Sequence, residues 1–315
     1  MRNTQPFSKR PTTLATGRRQ TVCPPDADAS RTRNIAGRVE RAPELQDSSS
    51  AELAQSAVRL SGTTSNNYWQ FADGDTESVP MRLDLRERIR VQSKLPSLPR
   101  GWHREMALRP APGSYFSGDF VVGARTNSGR WLEVVLTDLS GKGMEAGSRA
   151  LLLSGAFDGL LGSLPPREFL PAANNYLLRQ DWDEAFATSI YLALDLDSGD
   201  YELFSAGHLP GLQLSTEHGL WQEKFADGPV LGLFDGAHFD PVQGSLRPGD
   251  VLMLFTDGLI EASVRDLTDG IDRLVGEADH YMTAGFRGAA WHLIGAAAEY
   301  ATDDRALLLI GRDGE

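Results

Sequence analysis

The chain has 315 residues, 41% of them hydrophobic, enough to bury one large core or two ordinary ones. Its formal charge of -12 argues against a nucleic acid partner, because phosphates repel such a surface unless a basic patch intervenes, and the only basic excess lies in the N-terminal tail. No apolar stretch of about 18 residues reads as a membrane span, and the single cysteine, Cys23, cannot close an internal disulfide, which fits a reducing, cytoplasmic setting.

Residues 1–78 are rich in Ser, Thr, Arg, Asn, Asp, Pro and Gly and lack periodic apolar positions, so they read as a disordered tail unable to offset its ordering entropy. The first 50 residues hold nine Arg and Lys against five Asp and Glu, a basic tail beside an acidic body. Arg18 and Arg19 are followed by no apolar region, so the pair does not read as an export signal. A linker or switch segment follows over 79–98. Within it, Leu83, Leu85, Ile89 and Val91 on a charged background predict a short amphipathic helix over 81–94, closed by Pro96 and Pro99. The folded domain spans 99–315.

Trp102 to Leu108 predicts a first strand, broken by Pro110, Pro112 and Gly113, and Tyr115 to Arg125 resumes extended structure. Trp131 to Asp138 is a strand buried on both faces, with Asp138 the first residue to leave it. Helical spacing over Met144 to Leu161 and Pro166 to Arg179 predicts two helices. Ala187 to Asp195 and Tyr201 to Ala206 flank turn residues as a hairpin, and Gly211 to Ser215 adds a strand. Val251 to Thr256 is a short apolar strand delivering Asp257 and Gly258. A third helix over about Arg287 to Tyr300 precedes a last strand, Ala306 to Ile310, which starts beside Asp303 and Asp304. Strand runs interrupted by a helix pair place the chain in the α+β class.

Asp119, Asp138, Asp257 and Asp303 each stand at the end of an apolar run or beside glycine. Carboxylates held at strand ends, with glycine allowing close approach, suit Mg2+ or Mn2+, which take oxygen ligands and retain water. Four aspartates can hold two metals, and a two-metal site activates water and clamps phosphoryl oxygens during in-line displacement. Any one such aspartate, taken alone, reads as an ordinary turn residue; their joint placement is what points to a site.

In order along the chain stand Val91-Gln92-Ser93-Lys94-Leu95-Pro96, Ser117-Gly118-Asp119-Phe120, Asp138-Leu139-Ser140-Gly141-Lys142-Gly143, Ala206-Gly207-His208-Leu209-Pro210, Gly249 to Ala262 with its Thr-Asp-Gly core, and Asp303-Asp304. In order and spacing these segments resemble the SpoIIE and RsbU class of bacterial metal-dependent (PPM, type 2C) serine/threonine protein phosphatases, over about residues 83–312. The resemblance implies a sandwich of two antiparallel β-sheets flanked by helices, with two Mn2+ or Mg2+ ions at one end. It implies that Asp138 bridges both metals, that Asp257 and Asp303 complete one, and that Asp119 with the Leu139 carbonyl holds the other. Asp119 and Asp138 are then the catalytic carboxylates, and a metal-activated water attacks phosphoserine or phosphothreonine. The substrate class it implies is a phosphorylated regulatory protein, a STAS-type anti-sigma factor antagonist, and the 81–94 helix becomes the switch that answers a partner or a dimer mate.

This sequence departs from the family pattern at three places: Ser117 replaces a glycine, Leu209 replaces a proline, and Arg305-Ala306 stands where an apolar residue and threonine often follow. None removes a carboxylate. Asp304 remains an alternative ligand to Asp303, since neighbours at a strand start point oppositely. His208 reads as a supporting residue, with no second His or Cys at metal spacing. Lys142 reads as a phosphate-side or a solvated loop lysine, and Glu261 as a buttress of the Asp257 loop. Two rival readings are a phosphatase-like module that grips a phosphoprotein without turnover and a small-molecule phosphoesterase.

Overall fold

The computed structural model describes residues 95–141, 143–180, 182, 186–260, 267–284, 287–297 and 302–314 of the chain, all within its second unit, Gln70–Glu315. The predicted tail, Cys23, the 81–94 helix, Lys142 and Glu261 lie outside the described residues.

Strands and helices follow in the order β1 (Trp102–Arg109), β2 (Phe120–Thr126), β3 (Trp131–Leu139), α1 (Gly143–Leu160), α2 (Pro166–Leu178), β4 (Ala187–Asp195), β5 (Asp200–Ala206), β6 (Gly211–Ser215), β7 (Leu220–Lys224), β8 (Val242–Ser245), β9 (Val251–Phe255), α3 (Leu267–Ala284), α4 (Ala289–Ala296) and β10 (Arg305–Arg312). They form two five-stranded antiparallel sheets, ordered β1-β10-β9-β6-β7 and β2-β3-β4-β5-β8. This is the predicted sandwich flanked by helices. No helix among the described residues is long and apolar enough to cross a membrane.

Each sheet is buried on both faces, which explains why its central strands are nearly continuous apolar runs. Between the sheets, Val121, Leu132, Val134, Leu136, Ile190, Leu192 and Leu203 meet Leu252, Leu254, Ala306, Leu308 and Ile310. The alternate residues Phe120, Val122, Val135, Tyr191 and Phe204 pack under α1 and α2. On the other side Val251, Met253, Phe255, Leu307 and Leu309 pack under α3 and α4. An aromatic chain seats α1 and α2: Phe120 lies 5.8 Å from Phe157, Phe157 5.7 Å from Phe169, and Phe169 stacks on Tyr191 at 4.3 Å. Each such pair adds about 0.5–1.5 kcal/mol beyond area burial. Buried Glu133 fastens the α1–α2 connection by accepting from the Tyr191 hydroxyl (2.9 Å), the Thr126 hydroxyl (2.7 Å) and the Gly162 N–H (3.0 Å).

Three elements went unpredicted. The α3 helix is amphipathic, with Ile271, Leu274 and Ala278 buried at helical spacing. The edge strands β7 and β8 are short, and β8 (Val-Gln-Gly-Ser) carries no alternating signal of its own, taking its form from pairing with β5. The third helix begins at Ala289 rather than about Arg287, and residues 298–300 of its predicted span lie outside the described residues. Strand β2 begins at Phe120 rather than near Tyr115, because the preceding loop wraps around Asp304, as described next.

Candidate metal centre

Strand parity carries two of the four predicted carboxylates, Asp119 and Asp138, to one place, opposite Thr256 and Asp304. Phe120 and Val122 face the helices and Val121 faces the opposite sheet, so the two-residue period puts Asp119 on the inter-sheet side. The same count along β3, from Leu132, Val134 and Leu136, puts Asp138 there. On the facing sheet Leu252 and Leu254 lead to Thr256, and Ala306 and Leu308 lead back to Asp304. All four positions lie at one end of the sandwich. Contacts agree with the parity: the Thr256 hydroxyl donates to Asp119 Oδ2 at 2.7 Å, joining the two sheets, and Asp138 lies close enough to Asp119 to raise its carboxyl. Asp138 is not the first residue beyond β3, as the sequence predicted; it lies inside the strand, paired with Thr188, because β4 starts at Ala187 and extends the ladder to Leu139.

Asp303 and Asp304 separate clearly. Asp304 Oδ1 accepts the Ala111 N–H and Oδ2 the Gly118 N–H, both at 2.6 Å, and the Ser117 hydroxyl adds a further bond. Its carboxylate therefore organises the 111–119 loop. Ser117, the departure from the family pattern, is buried and also accepts the Asp119 N–H at 3.1 Å, so the hydroxyl ties both carboxylate segments together. Asp303 is less buried and accepts the Asp304 N–H at 2.9 Å.

Two glycines permit this closeness. A Cβ at Gly118 would stand 2.7 Å from the Leu139 carbonyl oxygen, and one at Gly258 would stand 1.9 Å from the Asp304 carbonyl oxygen. Asp257 opens a tight turn, Asp257–Leu259, directly after β9, with the Ile260 N–H donating to the Asp257 carbonyl at 2.8 Å.

The electrostatics follow from the packing. Asp119 is held well above the carboxylate range, first by burial and then by Asp138, Asp304 and Asp257, with the Thr256 bond opposing. Asp138 is raised to about 7 by burial, then Asp257 and Asp303. The Arg305 guanidinium faces Asp304, while the influences on Asp119 and Asp138 come from burial, neighbouring carboxylates and hydrogen bonds. As placed, no three acidic, histidine or cysteine side chains among the described residues converge tightly enough to hold a metal ion. The donor set nevertheless fits a hard divalent cation in chemistry and neighbourhood: several crowded carboxylates, a backbone carbonyl that only a glycine can approach, and a charge excess that a cation relieves.

His208 is buried, with burial lowering its pKa to about 4. The Phe255 carbonyl, 3.1 Å from Nε2, can only accept, so Nε2 carries the proton and Nδ1 accepts from the Thr188 hydroxyl at 2.8 Å. This neutral imidazole ties β4 to the end of β9 just before Asp257, a supporting role as the sequence suggested. Thr256 is the residue that sequence reasoning passed over. Its position in the Thr-Asp-Gly segment was visible, but a hydrogen bond to a residue 137 positions away was not.

The family model for stage II sporulation protein E (SpoIIE) matches residues 128–313. The phosphoserine phosphatase RsbU of Bacillus subtilis is 26% identical over 193 residues, 61% of this chain and 57% of the relative, so the match spans little more than half of that protein. Among solved structures, the RsbU and RsbW domains of a Mycobacterium tuberculosis protein align at a TM-score of 0.60 and 24% identity, covering 70% of this chain and 62% of that one. The catalytic domain of the serine/threonine protein phosphatase PstP, in complex with two manganese ions, aligns at 0.52 and 16% identity, covering 67% and 98%. At these identities the structural likeness establishes the fold, a PP2C-type sandwich.

Proposed function

This chain belongs to the SpoIIE family, and we propose that it is a divalent-metal-dependent phosphatase acting on phosphoserine or phosphothreonine of a regulatory protein. The observation that carries the reading is the crowding of acidic groups at one end of the sandwich, Asp257 and Asp303 raising the Asp138 carboxyl and Asp138 and Asp257 raising that of Asp119, next to the place where Gly118 approaches the Leu139 carbonyl. Asp138, Asp257, Asp303, Asp119 and the Leu139 carbonyl would hold two Mn2+ or Mg2+ ions, with Asp138 shared. When bound, such ions lower the pKa of a water and stabilise charge on the phosphoryl oxygens. The chain's own contribution is preorganisation: Thr256 orients Asp119 across the sheets, Asp304 and Ser117 hold the loop that carries it, and His208 steadies the strand end before Asp257.

The similarity to RsbU supports a phosphoprotein substrate, and a STAS-type anti-sigma factor antagonist is the candidate that the family resemblance favours. The cytoplasm, and control through the 81–94 segment by a partner or dimer mate, belong to the same reading. The test is hydrolysis of para-nitrophenyl phosphate and a phosphoserine peptide with Mn2+, with Mg2+ and with EDTA, for the full chain, Asp138→Asn and Asp257→Asn. Metal-dependent turnover is expected in the parent chain, with a loss of at least about a hundredfold in each variant, the scale of removing a principal electrostatic contributor. Turnover that survives EDTA, or that both variants retain, would refute the proposal.

A further inference from the structure

Beside the carboxylate end of the sandwich, three large apolar side chains stand in solvent: Phe186 at 39% exposure, Leu233 at 52% and Phe234 at 59%. The backbone that carries them is held by hydrogen bonds, at Phe186 itself and on either side of Leu233. The Phe186 N–H donates to the Ser140 hydroxyl at 3.1 Å, and its carbonyl accepts the Ser140 N–H at 3.0 Å, two residues beyond Asp138. Asn174, buried to 1% exposure on α2, spends its whole amide on the other segment: Nδ2 donates to the Phe234 carbonyl and Oδ1 accepts the Gly232 N–H, both at 2.8 Å. Exposed apolar groups on backbone pinned by Ser140 and by buried Asn174 are the arrangement of preorganised binding anchors.

Their distance from the carboxylates can be read from the ladder. Leu139 pairs with Ala187, and Ala187 exchanges N–H···O bonds with Leu231 at 2.9 and 3.2 Å. Phe186 therefore lies about one strand spacing from Leu139, and the segment carrying Leu233 and Phe234 starts about two spacings away, roughly 10 Å. An extended polypeptide covers that distance in about three residues. A small phosphoester falls short of Leu233 and Phe234, about two strand spacings from the carboxylates, whereas the polypeptide around a phosphorylated residue is long enough to reach them.

We propose that Phe186, Leu233 and Phe234 form a docking rim for the polypeptide around the phosphorylated residue, selecting an extended segment with an apolar side chain about three residues from the phosphate. The inference rests on the phosphatase reading for its substrate and adds the selectivity. The acidic charge of the chain, -12, disfavours acidic residues flanking the phosphate, so an apolar rather than an acidic neighbour suits this rim.

The test is binding of fluorescent peptides bearing a non-hydrolysable phosphoserine phosphonate to the full chain with Mn2+. One peptide carries Leu three residues to either side and the other carries Ser there. The proteins are the parent chain, Leu233→Ala/Phe234→Ala, Phe186→Ala, and Leu220→Ala as an equally exposed apolar control on the distant β7 strand. The parent is expected to bind the Leu peptide about tenfold more tightly, the size of burying one such side chain. Both rim variants should lose that preference while binding the Ser peptide like the parent, which also reports an intact fold, and Leu220→Ala should keep it. Equal binding of the two peptides by the parent, or a preference that survives the double substitution, would overturn the docking rim. Hydrolysis of para-nitrophenyl phosphate by the parent is measured alongside: rim-dependent binding without turnover would sink the enzyme reading alone, and turnover without rim dependence would sink the rim alone.

Discussion

Asp303 and Asp304 are neighbours of identical chemistry, and their surroundings give them different work. Asp304→Asn leaves one acceptor oxygen for two backbone N–H groups and turns an amide donor toward one of them, an uncompensated arrangement costing about 1–3 kcal/mol. A fall of several degrees in Tm is expected, whereas Asp303→Asn should keep Tm and lose the response to added Mn2+; equal Tm values for the two variants in thermal denaturation would contradict this division. His208 supplies a pH prediction. Its folded pKa, about 4, lies below the usual 6.5, so the unfolded chain takes up the proton first as pH falls. The stability associated with the neutral imidazole is complete above about pH 6.5 and lost progressively down to about pH 4, roughly 3 kcal/mol in all at 1.36 kcal/mol per unit. Urea unfolding at pH 7 and pH 4.5 should show a smaller acid loss in His208→Gln than in the parent, and an equal loss would assign the acid sensitivity elsewhere.

At the level of elements, the site depends on two close crossings. The turn after β9 passes so near β10 that a Cβ at Gly258 would meet the Asp304 carbonyl oxygen at 1.9 Å, inside any tolerable contact. Gly258→Ala must push the Asp257 turn away from the Asp303–Asp304 segment, at a cost of about 1–3 kcal/mol or more. Loss of metal-dependent activity together with a lowered Tm is expected, and normal activity in this variant would mean that the crossing is not needed. The second crossing is the Thr256 hydroxyl, which accepts from the Ala306 N–H at 2.8 Å while donating to Asp119. Both depend on strands that the apolar runs had announced. The α3 helix was missed although Ile271, Leu274 and Ala278 mark its buried face, because its Gly270 and Gly276 and its many polar residues weaken the local signal.

For the whole molecule, the carboxylate end is a place where packing opposes charge. Two sheets buried on both faces hold Asp119 and Asp138 together against their repulsion, and a cation that binds only this folded arrangement stabilises the fold by mass action. At a metal concentration of about 100 Kd the gain is about 2.7 kcal/mol. Mn2+ or Mg2+ should therefore raise Tm in the parent chain and leave Asp138→Asn nearly unchanged; an unmoved Tm in the parent at millimolar metal would count against the cation site.

The amino-acid sequence by itself determined the α+β class, most of the strands and the first two helices, and it singled out acidic residues that the fold brings to one end of the sandwich, because burial on two faces and glycine beside aspartate are local patterns. The tertiary structure alone decided that Asp304 clamps a loop while Asp303 remains beside Asp138, that Asp138 sits within its strand, and that Thr256 joins the sheets. Those distinctions depend on which backbone group or hydroxyl arrives from a distant part of the chain, and strand pairing between such segments sets that arrival.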